Sequence, residues 1–288
     1  MAVLEAYTDE SERDGVLCVA AYLGYSKDWS RFSKKWRSRL RKNDLTHFHM
    51  HEYMETESTL RKKLGKNADS FYTDLTLLIR KFTCKSFRFI IDDSEYHHAT
   101  TKRFRSQFGS AFTFLTKAIV SYSYTWAKKD LGYRGLMNFV VERGHRGDAK
   151  VEQHLRELAK AGVIGSGTLG QKRLLPPLQA ADILAYLTAS GYNADYAVPA
   201  GRLPKVAQLY FTRELIREQV ARVEEQRRLS AKIKNDAEKT RRLELKMERA
   251  LQNSRSTCSE LAKRASDSAN CFRLVTLIGK SDQGANSA

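Results

Sequence analysis

The sequence predicts an α/β layer fold, on three observations. Two short apolar runs stand near the start, joined by a polar turn. After them, strand-like runs alternate with amphipathic helical stretches. Three of the strand-like runs end in acids, at Asp9, Asp92 and Glu142, and open α/β sheets collect their chemistry at strand ends.

The first run is Val3 to Ser11 (VLEAYTDES) and the second is Val16 to Tyr25 (VLCVAAYLGY), with Glu12-Arg13-Asp14-Gly15 turning between them. Alternation puts Tyr7 and Asp9 on one face of the first strand and Thr8 and Glu10 on the other. A carboxylate at the end of a central strand is poorly solvated and needs a partner, often a metal ion. Trp29, Phe32, Trp36 and Leu40 then recur every three to four residues, the spacing of an amphipathic helix, with Lys34, Lys35, Arg37, Arg39 and Arg41 on its wet sides. In THFHMHEYM, Thr46 to Met54, an extended backbone would put His47, His49 and His51 on one face, which suits either metal binding or the polar edge of a cleft.

Phe71 to Phe82 has helical periodicity, and FRFII (Phe87 to Ile91) reads as a buried strand running into Asp92-Asp93-Ser94. One long helix is expected from about Ser106 to Lys129, carrying Phe108, Phe112, Leu115, Ile119, Tyr122 and Trp126. Leu136 to Val141 is a strand ending at Glu142-Arg143, Lys150 to Ala161 a helix, and Gly162 to Gly170 a connection with room for a short strand. Pro176 and Pro177 open a last core helix over LQAADILAYLTAS, Leu178 to Ser190. Asp182 stands among Ala180, Ala181, Leu184 and Ala185, so it is expected to be buried. Local capping could explain it alone; a metal site explains it together with the strand-end acids.

Gly191 to Pro204 is loop-like and suggests a domain boundary, giving a core over 1–195. Residues 205–253, almost free of Gly and Pro and dense in Arg, Lys, Glu and Leu, predict a long basic helical extension. It could bind phosphates, pack back on the core, or pair with a second chain or a protein partner through Leu209, Ile216, Val220 and Val223. Residues 254–288 are expected to be a largely flexible tail.

The chain has 288 residues with 50 Lys plus Arg against 33 Asp plus Glu, a formal charge of +17. That excess points to a polyanionic partner, nucleic acid foremost. No run of 18 apolar residues is present, so no membrane span is expected, and the Glu-rich basic helix without an aromatic face argues against a membrane surface. Cys18, Cys84, Cys258 and Cys271 are scattered without a CxxC pair, and no basic-then-apolar leader is visible. Both features suit a reduced, cytoplasmic protein, and the scatter argues against a zinc cluster or a disulfide frame.

Five elements together carry a family resemblance: YTDES near the start, Phe48-His49, the strand ending in Asp92, the strand ending in Glu142, and LQAADILAY. Over about residues 3–190 the chain resembles a widespread bacterial and phage domain of unknown function with a ribonuclease H-like fold. It departs from that pattern at Glu12 in place of Gly, Glu142 in place of Asp, His47 in place of Glu, and Gln171-Lys172 in place of Ser-Lys.

The resemblance implies a ribonuclease H-like mixed sheet flanked by helices, and a nuclease chemistry in which carboxylates hold two divalent ions. Hard oxygen donors prefer Mg²⁺ or Mn²⁺. Asp9, Glu142 and Asp182 are the expected catalytic acids, with Asp92 joining them as a metal ligand. Glu10, His49, Lys172 and Gln179 are expected in substrate-contacting or supporting positions, Lys172 as a phosphate contact. The competing expectation is a non-catalytic nucleic-acid-binding or scaffolding protein, which does not need Asp9, Glu142 and Asp182 to converge.

Overall fold

The computed structural model describes residues 2–191 and 206–234. Strand β1 (Leu4–Arg13) and strand β2 (Val16–Tyr25) form the expected hairpin, closed by Asp14 and Gly15 with φ of +52° and +79°. Positive φ at both central positions makes this a type I′ turn, whose twist matches that of the flanking strands and for which Asp-Gly is a preferred pair. Helix α1 (Ser26–Arg41) follows, burying Trp29, Phe32, Trp36 and Leu40 as their spacing requires. Short helices α2 (Met50–Met54) and α3 (Thr59–Leu64), a single 3-10 turn and helix α4 (Ala68–Phe82) lead to strand β3 (Lys85–Asp92).

Helix α5 (Asp93–Ala99) and helix α6 (Lys102–Phe108) precede α7 (Ala111–Lys129). The single helix expected from Ser106 is therefore broken. Gly109 has φ of +90°, and a Cβ there would stand 2.6 Å from Thr113 Cβ, so the chain turns at this glycine. Ser110 then caps α7 by accepting from Thr113 N–H. Strand β4 (Met137–Glu142), helix α8 (Asp148–Lys160), strand β5 (Ser166–Gly170) and helix α9 (Pro176–Ala189) complete the segment up to 191.

The sheet has six strands in the order β5-β4-β1-β2-β3-β6, where β6 is Val206–Phe211. The β1, β2 and β3 strands form an antiparallel meander; β4 adds parallel to β1, β5 parallel to β4, and β6 parallel to β3. This mixed sheet flanked by helices is an α/β architecture consistent with the ribonuclease H-like expectation. Alternation along β2 divides the core. Leu17, Val19, Ala21 and Leu23 pack on the side that includes α7 and α8, while Cys18, Ala20 and Tyr22 face α1, α4 and α9.

The expected boundary near residue 195 does not end the sheet. Residues 206–211, read from the sequence as the start of a helix, form the β6 edge strand. Helix α10 (Arg213–Lys234) follows, and its Ile216, Val220 and Val223 are buried in the α7-side core together with Phe211. The alternation Val-Ala-Gln-Leu-Tyr-Phe competes with the helical spacing of Leu209 and Ile216, and pairing with β3 decides in favour of the strand. The apolar stripe of α10 thus packs back on the core. Expectations for 235–253 and 254–288 lie outside the described residues.

Candidate functional site

Pairing between β1 and β4 runs from Leu4–Met137 to Thr8–Val141. Thr8 and Val141 face the α7 side, so the next residues on both strands, Asp9 and Glu142, turn to the α9 side. Helix α9 packs across β1 and β2 there. Being buried almost all round, it presents Asp182 inward, and Asp182 is only 3% exposed. Asp9 is fully buried.

These three acids meet on one cation. Lys172 Nζ lies 2.9 Å from Asp9 Oδ2, 3.0 Å from Glu142 Oε2 and 2.9 Å from Asp182 Oδ1. The contact to Asp182 is also a directed hydrogen bond. The contact to Asp9 is ionic only; Asp9 Oδ2 and Glu10 Oε2 are buried and accept no hydrogen bond among the described residues. Asp9 Oδ1 accepts from the Glu10 backbone N–H at 2.8 Å, and Asp182 Oδ2 from Met50 N–H at 2.6 Å.

Glu10 was expected on the opposite face from Asp9. It does lie on the α7 side, but among the described residues no strand flanks it on the β4 edge beyond Glu142, so its carboxylate reaches round to the group. Oxygens of Asp9, Glu10 and Glu142 lie within 4.8 Å of one another, a spacing that could hold a metal ion. Electrostatics follow from this crowding. Burial, the contact with Glu142 and the charges of Asp182 and Glu142 hold the Asp9 carboxyl well above its usual range, against the pull of Lys172. Burial and the charge of Glu142 raise Glu10 to about 8. Burial alone would lower Lys172, but Asp9, Asp182 and Glu142 outweigh it and hold the ammonium firmly protonated.

Gln179, one helical turn before Asp182, organises the surroundings. Its Oε1 accepts from the Trp36 indole N–H at 2.8 Å and from Phe48 N–H at 2.9 Å, and its Nε2 donates to the Lys172 carbonyl at 3.0 Å. One buried amide thus ties α1, the strand-like segment before α2 and the Lys172 turn to α9. His49 is held next to this point, with Nε2 3.6 Å from Asp182 Oδ1 and Nδ1 3.7 Å from Glu52 Oε1. His47 is 4.0 Å from Glu52, and His51 pairs with Glu55 at 3.4 Å, so the three histidines do not converge on one ligand position. The backbone turns helical at Met50, which ends the alternation that would have aligned them.

Asp92 does not belong to the site. It pairs with Val16, four residues along β2 from Ala20, the partner of Asp9. At ~3.3 Å per residue that is about 13 Å along the sheet. Its exposed carboxylate caps α5, accepting from Ser94 Oγ and from Glu95 N–H. Those bonds, the Ser94 hydroxyl first, lower its pKa, as expected of a cap.

His145 enters from the loop after β4 without any signal in the sequence. Its ring stacks on Phe112 with centroids 4.0 Å apart, and Nε2 lies 3.3 Å from Glu10 Oε1. Asp148 fixes the loop by accepting from Gly144 N–H and His145 N–H. Burial lowers the His145 pKa.

No family model matches the chain. No curated protein matches it either. Among the described residues no helix is long and apolar enough to cross a membrane.

Proposed function

We propose that this chain is a metal-dependent nuclease that hydrolyses phosphodiester bonds of DNA or RNA. The observation that carries the reading is the convergence of Asp9, Glu142 and Asp182 on the single Lys172 ammonium. Residues this far apart in sequence do not assemble buried like charges for stability, because each burial costs several kcal/mol unless matched (~3–5 kcal/mol when a buried charge loses its partner).

The donor set fits Mg²⁺ or Mn²⁺. Among the described residues all the donors are carboxylate oxygens, two of them buried without a hydrogen bond, and neither Cys nor a His group of zinc spacing takes part. Asp9, Glu10 and Glu142 would hold the ion, with Asp182 beside them. When bound, it would supply an activated water and charge neutralisation at the phosphoryl oxygens. Glu10 and His145, 3.3 Å apart, are suited to exchanging a proton at the edge of this group.

Support for a nucleic-acid substrate comes from charge. The chain carries +17, and Lys34, Lys35, Arg37, Arg41 and Lys42 are exposed on or just after α1. That helix runs up to the site, where Trp36 bonds Gln179 and Arg37 donates to the Leu174 carbonyl at 3.2 Å. Phosphate backbones are bound by such exposed basic faces. The likeness of YTDES and LQAAD to the ribonuclease H-like family points the same way.

The decisive test incubates purified protein with labelled single- and double-stranded DNA and RNA in Mg²⁺, Mn²⁺ or EDTA. Cleavage should require the ion and should disappear in Asp9→Asn. Equal cleavage by Asp9→Asn, or none on any substrate in either ion, would remove the nuclease reading. One observation favours a second reading, a non-catalytic nucleic-acid-binding protein: Lys172 already neutralises part of the acidic group. In that case binding would persist without cleavage and without dependence on a divalent ion.

A further inference from the structure

We propose that Lys172 is an exchangeable internal cation, which holds the carboxylates together in the metal-free protein and leaves its position when a divalent ion enters. The inference rests on the metal-dependent reading above and concerns how that site is loaded.

Geometry carries it. The ammonium lies within 3.0 Å of an oxygen from each of Asp9, Glu142 and Asp182, the place that oxygen ligands of one ion would surround. It matches that group incompletely. Asp9, Glu10, Glu142 and Asp182 are four carboxylates against one ammonium, a formal excess of three negative charges if all are ionised. Asp9 Oδ2 is near Nζ but receives no directed hydrogen bond, and Glu10 Oε2 receives none among the described residues. A lysine built as a permanent strut would be expected to satisfy these buried oxygens. A doubly charged ion neutralises the excess better than a single positive charge.

The lysine also sits on a turn rather than within a strand or helix. Its backbone is pinned, with the carbonyl accepting from Gln179 Nε2 and from Leu175 N–H. Its side chain is a four-carbon stem carrying a point charge. It reaches the acids from the turn ahead of α9, and 15% of the side chain is open to solvent. Swinging outward needs no change in β1, β4 or α9. The exchange has two consequences for the protein. Without a divalent ion the acids remain gathered and do not repel one another apart. With one, Lys172 competes, so the site fills only above a divalent concentration that the lysine itself sets.

The test uses the full chain without nucleic acid. Mn²⁺ affinity is measured by calorimetry for wild type and Lys172→Gln, and melting temperature is measured in EDTA and in Mn²⁺. The variant should bind Mn²⁺ at least about fivefold more tightly, the lower end of typical coupling between competing events. It should melt lower than wild type in EDTA and recover with Mn²⁺. Mn²⁺ binding to wild type with equal or weaker binding to Lys172→Gln would overturn the exchange and leave the metal site standing. No binding to either would remove the metal reading itself. A measurement on wild type alone guards against a variant that does not fold. Amine acylation read by mass spectrometry should find Lys172 protected in EDTA and labelled at Mn²⁺ concentrations shown by calorimetry to saturate. Unchanged protection at saturation would overturn the proposal.

Discussion

Asp9 shows how one side chain can be held where its own burial is costly. It is fully buried, and burial and its acidic neighbours push its carboxyl well above the usual range. Asp9→Asn keeps its shape and removes one of four clustered acids. In EDTA the variant should melt higher by about 2–4 °C, the shift that ~1 kcal/mol gives in a domain of this size. A lower melting temperature would mean that the pairing with Lys172 outweighs the repulsion. Glu10 gives the protein a pH signature. Its carboxyl is raised to about 8 on folding, from 4.5, so the stability it contributes is complete below pH 4.5 and is lost as pH climbs toward 8. The opposite limb belongs to His154. Burial, then the charge of Lys117, lowers it to about 3 from 6.5, and stability drains as pH falls from 6.5 toward 3. These two contributions balance between about pH 4.5 and 6.5, and Asp9, raised likewise, adds to the loss as pH rises. Glu10→Gln should flatten the alkaline decline; an unchanged decline would assign it to another group. Asp9, Glu142 and Asp182 were legible in the sequence because acids at central strand ends and on an apolar helix flank are poorly solvated and need a partner. Glu10 was not, since alternation rightly puts it on the α7 face and only the early end of β4 lets its carboxylate reach round to the group. Asp92 misled because an aspartate at a strand end can equally cap the helix that follows, as it does for α5.

At the scale of elements, the segment from Lys172 through α9 is the organising piece. Gln179 and Asp182 are one turn apart, so the first reaches α1 and the segment before α2 while the second reaches the acids. Gln179→Leu should leave the Trp36 and Phe48 N–H groups buried without acceptors, at about 1–3 kcal/mol each. It should also loosen the Lys172 carbonyl, so the variant should show faster amide exchange around 46–50 and 171–175. Destabilisation without added exchange at those segments would limit Gln179 to a packing role. The helix α9 itself was clear from Pro176-Pro177 and the alanine-rich pattern. What the pattern could not show was that the glutamine is a junction, because a hydrogen-bond partner more than a hundred residues away leaves no local periodicity. The break at Gly109 was missed similarly: helical spacing of the aromatics continues across it, and only the positive φ ends the helix.

For the whole molecule, β6 and α10 belong to the core. The turn-rich stretch after α9 reads as a boundary, yet the chain returns to extend the sheet beside β3. Phe211, Ile216, Val220 and Val223 are buried by that return. At about 1.5–3 kcal/mol each, they rival the ~5–15 kcal/mol net stability of a typical domain. A chain ending at Gly191 should therefore lose its cooperative melt or aggregate, whereas one ending at Lys234 should keep it. Cooperative melting of the shorter chain, near the temperature of the longer one, would make the sixth strand dispensable.

The distribution of the acids along the chain has a consequence for the order of events during synthesis. Asp9 is made well before Glu142, and Lys172 and Asp182 follow later still. Chains are made at about 5–20 residues per second and tend to fold as units. The nascent polypeptide thus carries a buried-type aspartate before its ammonium and the other acids have been made. Hairpin β1–β2 can form early, but the strand pairing that sets Asp9 against Glu142 must wait for β4. The gathered acids are consequently a late feature of the growing chain, complete only once β4 and α9 have both been made.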